Sequence, residues 1–121
     1  MATLRIALID DEECVRKSVG RLLRSAGMEV KVFASGQEFV LASDSAFDCL
    51  VLDVHMPRMD GFAVYEHFLR AGIRIPAVVI TGHESPGDRV RGDSLGITSY
   101  LRKPIDGDEL VGSITAAVGN A

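Results

Sequence analysis

Short apolar runs alternate with longer amphipathic stretches along the whole chain. Most of these runs are rich in Val, Ile and Leu, which is typical of strands that a sheet buries on both faces. The predicted strands are Leu4–Ile9, Val30–Phe33, Cys49–Asp53, Ala77–Thr81 and Ser99–Arg102. Gly and Pro residues near the ends of these runs mark where the turns fall.

The stretches between the runs predict helices, because their apolar residues recur at helical spacing and capping residues flank them. The first predicted helix lies between Glu12 and Ala26, the second opens at Ser35, the third follows Gly61, the fourth covers Ser85–Leu95, and the fifth is capped by Asp106. Gly87 and Gly92 fall inside the fourth helix. An interior glycine costs about 1 kcal/mol relative to alanine, so this helix should be the loosest.

Strands that alternate with helices predict an α/β fold, in which right-handed crossovers cover both faces of a parallel sheet. With 121 residues the chain should form one domain, 1–121. The pattern alone leaves the order of the strands open.

Composition narrows the functional classes. The net charge of −4 and the pI near 5.3 argue against direct nucleic-acid binding by this domain. No apolar stretch approaches the roughly 20 residues of a membrane span, and the N-terminus lacks a signal-peptide layout, so we expect a cytoplasmic protein without membrane contact. Cys14 and Cys49 have no motif around them and are expected to be reduced thiols.

Polar residues follow the predicted strands at the point where each strand ends. Asp10 and Asp11 come after the first strand, and Asp53, Thr81 and Lys103 end or follow the third, fourth and fifth. Ligands of open α/β sheets bind outside the carboxyl ends of the strands, so these side chains predict a site.

Three carboxylates in one pocket repel each other, which calls for a cation. All-oxygen ligands in an open pocket suit Mg²⁺, and Mg²⁺ together with Lys103 would balance the charge of the three carboxylates. Asp10 and Asp11 could instead be acids that cap the helix after them.

The motifs around these residues resemble those of response regulator receiver domains, the CheY-like family. The resemblance rests on Asp10-Asp11, on Asp53 followed by Met56–Gly61, on Thr81-Gly82 and on Tyr100–Pro104, and it runs from about Leu4 to Val118. It implies a flavodoxin-like, doubly wound sheet of five strands in the order 2-1-3-4-5. The wording around Pro57 and Thr81 is most similar to receivers of the FixJ type, which carry a DNA-binding domain behind them.

The resemblance also implies a role for each site residue. Asp53 would accept a phosphoryl group from a sensor histidine kinase, while Lys103 and Thr81 contact the phosphoryl oxygens and Gly82 leaves room for them. Mg²⁺ would be the cofactor. Its implied ligands are Asp10, Asp11, Asp53 and the backbone carbonyl of His55.

The implied output is a conformational change. Thr81 and Tyr100 match the switch positions, and the face of the fourth helix, fifth strand and fifth helix would then form a homodimer or bind a partner. The Lys103–Pro104 bond is expected to be cis. His55 and His83 could be ordinary surface histidines, or they could influence the lifetime of the phosphoryl group.

Two other functions fit parts of the pattern. A phosphatase of the haloacid-dehalogenase kind also uses a strand-end Asp, Mg²⁺, Thr and Lys, but it needs a carboxylate where this chain has His55. A receiver-like binding module that works without phosphorylation typically lacks part of the acidic set, which is complete here. The sequence therefore favours a signalling domain over an enzyme.

Overall fold

The computed structural model describes residues 3–42 and 46–119. Its elements in chain order are β1 (Arg5–Ile9), α1 (Glu13–Ser25), β2 (Glu29–Phe33), α2 (Gly36–Ala42), β3 (Cys49–Asp53), α3 (Gly61–Arg70), β4 (Ala77–Thr81), α4 (Asp88–Ser94), β5 (Ser99–Arg102) and α5 (Gly107–Gly119). The predicted alternation of strands and helices is confirmed. The two residues at each end of the predicted domain 1–121, and residues 43–45, lie outside the described part.

All five strands form one parallel sheet in the order β2-β1-β3-β4-β5, as the resemblance implied. The order reverses direction between β1 and β3, and Ile9 pairs with Leu52 across them. Asp10 follows Ile9 and Asp53 follows Leu52, so these two aspartates are brought side by side. This is the topological switch point at which such sheets bind ligands.

Alternate residues of each strand point to opposite sides of the sheet, and helices cover both faces. Leu50 and Leu52 of β3 pack with Phe39 of α2 and Phe62 of α3 in one apolar cluster. The second cluster lies on the other face, and it includes Val51, Val19, Leu23, Leu110 and Ile114. Helices α2 and α3 thus cover one face, whereas α1 and α5 cover the other.

Two predicted helix caps form, and the fourth helix has different ends from those predicted. Ser35 Oγ accepts from Glu38 N at 3.1 Å, and Asp106 Oδ1 accepts from Glu109 N at 3.1 Å, so both predicted caps form. The fourth helix is shorter than predicted because Gly87 adopts a left-handed φ of 91° and precedes the first turn. Gly92 does lie inside that helix.

The remaining corrections are small. β1 begins at Arg5, one residue later than predicted, and β2 begins at Glu29, one residue earlier, because these two residues pair with each other across the strands. α1 is one residue shorter at each end, and Ala26 is exposed at its C-cap. Both cysteines are free thiols, one exposed and one buried. Within the described ranges, no helix is long and apolar enough to cross a membrane.

Candidate functional site

The site is built around Asp53, the last residue of β3. Asp53 is only 4% exposed, and β3 is buried along its whole length. α3 begins directly beside it, since Gly61 N donates to Val54 O at 3.1 Å. A Cβ on Gly61 would overlap the backbone carbonyl oxygen of Asp53, so only glycine allows the helix to start this close to the strand.

Asp10, Asp11 and Asp53 form a compact acidic cluster, as predicted. Each offers a carboxylate oxygen, and these oxygens all lie within 4.8 Å of one another. Asp10 is fully buried, whereas Asp11 is exposed. Burial, together with repulsion from Asp10, raises the pKa of Asp53 to about 7, and Lys103 only partly opposes this. The positive charge of Lys103 therefore does not balance the negative charge of the three carboxylates.

Lys103 supplies the cation of the site. Its Nζ lies 2.9 Å from Asp10 Oδ2, 2.8 Å from Glu12 Oε1 and 3.5 Å from Asp53 Oδ1, and its side chain is 13% exposed. The carboxylates of Glu12 and Asp10 raise the pKa of Lys103 despite its burial, so the ammonium is charged at neutral pH. The Lys103–Pro104 bond is cis, which confirms the prediction.

One carboxylate oxygen of the cluster lacks a hydrogen bond. Asp10 Oδ1 accepts from Glu12 N at 2.8 Å, but no described group hydrogen bonds to buried Asp10 Oδ2, and the Lys103 ammonium beside it contributes an ion pair only. Burial accordingly raises the pKa of Asp10. An unsatisfied buried oxygen among three carboxylates is the environment that a divalent cation with oxygen ligands stabilises. The residues present therefore fit Mg²⁺.

Thr81 lies at the end of β4, next to β3 in the sheet, and is 4% exposed. Its hydroxyl donates to the backbone oxygen of His83 at 2.6 Å and accepts from His83 N at 3.1 Å. Gly82 beside it is open, since a Cβ there would meet only Lys103 Cδ, at 3.7 Å. In this state the hydroxyl is thus held by the loop that leads to α4.

His55 and His83 lie on the loops that follow β3 and β4. His55 Nε2 is 3.0 Å from Asp88 Oδ2 in the first turn of α4, and the same oxygen accepts from Ser85 N at 2.7 Å. The rings of His55 and His83 are 5.8 Å apart. The loop after Asp53 is therefore tied to the start of α4 by a side-chain contact.

Tyr100 lies against α4. Its hydroxyl oxygen lies 3.0 Å from Asp93 Oδ1 and 2.9 Å from Ile97 O, the two acceptors within reach of its single proton, and Arg89 lies 4.0 Å above its ring. Burial, and next the hydrogen bond with Asp93, raise the pKa of Tyr100 to about 12. A Cβ on Gly92 would overlap the Tyr100 hydroxyl, which explains a glycine inside this short helix.

The structure brings together four of the predicted site residues, Asp10, Asp11, Asp53 and Lys103, and places Thr81 on the adjoining strand end. Sequence analysis missed two contacts. The helical pattern predicts only that a helix starts near Glu12, although its position directly after Asp10-Asp11 also indicates a place beside the site. Asp88 gave no signal, because its partner is 33 residues away along the chain.

Comparison with known proteins identifies the family. The family model described as "Response regulator receiver domain" matches residues 6–115. The chain is 35% identical over 114 residues to the response regulator protein TodT of Pseudomonas putida, covering 93% of this chain and 50% of that protein. It is 38% identical over 115 residues to the response regulator MprA of Mycobacterium avium, covering 93% of this chain and 50% of that protein. The chain thus spans about half the length of these curated relatives.

Solved structures agree with the sequence comparison. The crystal structure of FixJ-N aligns with a TM-score of 0.89 and 30% identity, covering 100% of this chain and 98% of that one. The Vibrio cholerae chemotaxis protein CheY4 aligns with a TM-score of 0.86 and 28% identity, covering 96% of this chain and 99% of that one. Both alignments take in nearly all of both chains.

Proposed function

The chain belongs to the response regulator receiver domain family of two-component systems, and on this premise we propose that Asp53 accepts a phosphoryl group from a sensor histidine kinase. The observation that carries the proposal is the position of Asp53. It is a nearly buried carboxylate at the switch point of the sheet, within 3.5 Å of the Lys103 ammonium and flanked by two further carboxylates. A family of this kind signals rather than turns over a substrate.

In the transfer, a carboxylate oxygen of Asp53 attacks phosphorus and forms an O–P bond. The bond from phosphorus to the donor's leaving atom breaks, and its electron pair stays on that atom. The leaving atom is a ring nitrogen when the donor is a phosphohistidine and a carboxylate oxygen when it is acetyl phosphate. The ionised carboxylate is the nucleophilic form, so a pKa of about 7 makes the reactive fraction of Asp53 sensitive to anything that neutralises its neighbours.

Asp10, Asp11 and Asp53 would hold Mg²⁺ together with the backbone carbonyl of His55. When bound, the ion supplies positive charge that neutralises the carboxylates and the phosphoryl oxygens. Lys103 would donate to the phosphoryl oxygens, because its ammonium already lies within 3.5 Å of both Asp10 and Asp53. The divalent ion and the Lys103 ammonium would together offset the charge of the three carboxylates before a phosphoryl group enters.

Thr81 would report the arrival of the phosphoryl group. Its hydroxyl has one proton to donate, and that proton now goes to His83 O. Donation to a phosphoryl oxygen requires the hydroxyl to give up this bond. The loop between β4 and α4 is then free to move, which supports Thr81 as the first residue of the switch.

The proposed output surface is the face of α4, β5 and α5. Val90 of α4 is a large apolar residue that is 73% exposed, and Tyr100 of β5 is held by Asp93 of the same helix. Movement of the loop before α4 changes where this helix sits against Tyr100. We propose that the altered face forms a twofold homodimer or binds a partner protein.

The phosphorylation is tested by incubating the protein with acetyl phosphate and Mg²⁺ and measuring its mass. One phosphoryl adduct is expected on the wild-type protein, none on Asp53→Asn, and none when EDTA removes the metal. Asp108→Asn, an exposed aspartate on α5, is the matched control and should be labelled normally. An adduct that persists in Asp53→Asn would contradict the assignment, as would steady turnover of a phosphomonoester with no stable adduct.

The switch is tested with beryllofluoride, which mimics a phosphoryl group on a carboxylate. Amide exchange across residues 85–102 should change when it binds, and sedimentation should show a dimer if the face pairs with itself. Unchanged exchange in this segment rules out the switch. A monomer in both states, with changed exchange, leaves partner binding as the output and rules out the homodimer.

A further inference from the structure

Glu12 contacts Lys103 from outside the acidic cluster. Its Oε1 accepts from Lys103 Nζ at 2.8 Å, whereas Nζ lies 3.5 Å from Asp53 Oδ1. The Glu12 side chain is 60% exposed, and it does not belong to the group of three carboxylates that can share a metal ion. In this state the Glu12 carboxylate therefore holds the ammonium as closely as buried Asp10 does, although it lies outside the acidic cluster.

A phosphoryl oxygen that approaches the ammonium competes with the carboxylates that already surround it. Lysine has three protons to donate, and three carboxylates already surround Nζ, which is 13% exposed. Asp10 is fully buried and fixed by the Glu12 amide, and Asp53 is the acceptor itself. Glu12 is the partner that can swing into solvent.

We propose that Glu12 restrains Lys103 in the unphosphorylated protein and competes with the incoming phosphoryl oxygens for its ammonium. Glu12 is thus a positioning residue that acts through Lys103, and the proposal rests on phosphorylation of Asp53. Release of Glu12 accompanies phosphorylation, so the carboxylate slows labelling and leaves the phosphorylated state unchanged.

The rate of labelling tests the competition. Glu12→Gln keeps the size of the side chain and removes its charge, and it should raise the initial rate with acetyl phosphate and Mg²⁺ about two- to fivefold, the range that an exposed ion pair supports. Glu13→Gln is the matched control, because it removes the same charge one residue further on, where the partner is Lys17 at 3.1 Å. An equal or slower rate in Glu12→Gln, or an equal gain in Glu13→Gln, overturns the proposal.

The environment of the ammonium gives a second readout that a purely structural role would not produce. The chain has three lysines, Lys17, Lys31 and Lys103, so ¹³Cε-labelled lysine gives few signals to assign. The Lys103 signal should differ between wild type and Glu12→Gln without ligand, and should coincide once beryllofluoride and Mg²⁺ are bound. Signals that coincide without ligand, or that differ equally in both states, overturn the proposal.

Failure of this proposal can be told from failure of the proposed function. If the wild-type protein takes no phosphoryl group, the function assigned to Asp53 fails. If wild type is labelled at Asp53 and Glu12→Gln gains nothing over Glu13→Gln, only the role of Glu12 is wrong.

Discussion

Replacing Asp53 by asparagine should stabilise the metal-free protein, although it removes the residue at the centre of the site. Asparagine has nearly the same shape and carries no charge, so the repulsion from Asp10 and the cost of burying a second carboxylate both disappear. The pKa of Asp53 is raised from 3.8 to about 7 by these effects. Since each tenfold change in proton affinity is about 1.4 kcal/mol, the ionised carboxylate costs at most about 4 kcal/mol of folding free energy.

The raised pKa of Asp53 determines how the stability advantage of Asp53→Asn changes with pH. Folded Asp53 binds its proton more tightly than unfolded Asp53, so its favourable contribution is complete below about pH 4 and is lost as the pH rises to about 7. The stability advantage of Asp53→Asn should therefore be near zero below pH 4, about 2 kcal/mol at pH 5 and up to about 4 kcal/mol at pH 8. For a domain of this size, 1 kcal/mol moves the midpoint of thermal unfolding by about 4 °C.

Urea unfolding in EDTA, at several pH values between 4 and 8, measures the difference directly. Asp108→Asn serves as the control for losing an exposed aspartate and should show no such pH trend. Mg²⁺ should stabilise the wild-type protein by about 2.7 kcal/mol at a hundred times its Kd, and Asp53→Asn by less, because a ligand is lost. An advantage that is equal at pH 5 and pH 8, or absent at both, would refute the argument that the three acids repel each other.

Glycine and aspartate substitutions test the packing around the site. Gly61→Ala should destabilise the protein by about 1–3 kcal/mol, because the new Cβ overlaps the backbone carbonyl of Asp53. Gly112→Ala has open space around it and should stabilise the protein by up to about 1 kcal/mol. Urea unfolding of the two variants measures both effects. Gly92→Ala should displace the Tyr100 hydroxyl and lower its pKa from about 12 towards the ordinary value, which absorbance titration of the tyrosines would show. Asp88→Asn should speed amide exchange at the start of α4, since it weakens the contact with the loop after β3, and an unchanged rate would count against that contact.

The sequence determined the class of fold and placed the three aspartates and the lysine of the site, because both follow from local patterns. Apolar runs of strand length alternate with helical periods, so a parallel sheet with covered faces is the natural way to bury them. Polar residues at the carboxyl ends of such strands must then meet at one edge. The strand order came from the resemblance to a family, since pairing between distant strands leaves no local pattern.

The tertiary structure alone decided how those residues are connected. Lys103 is 91 residues from Glu12 along the chain, and no pattern in either segment predicts that the ammonium is held there. Likewise, helix propensity alone predicts that Gly92 weakens its helix, whereas the structure shows that the missing Cβ makes room for the Tyr100 hydroxyl. Contacts of this kind depend on side-chain rotamers and on how closely two elements approach. They are therefore fixed by the packing of the whole domain, which local sequence does not encode.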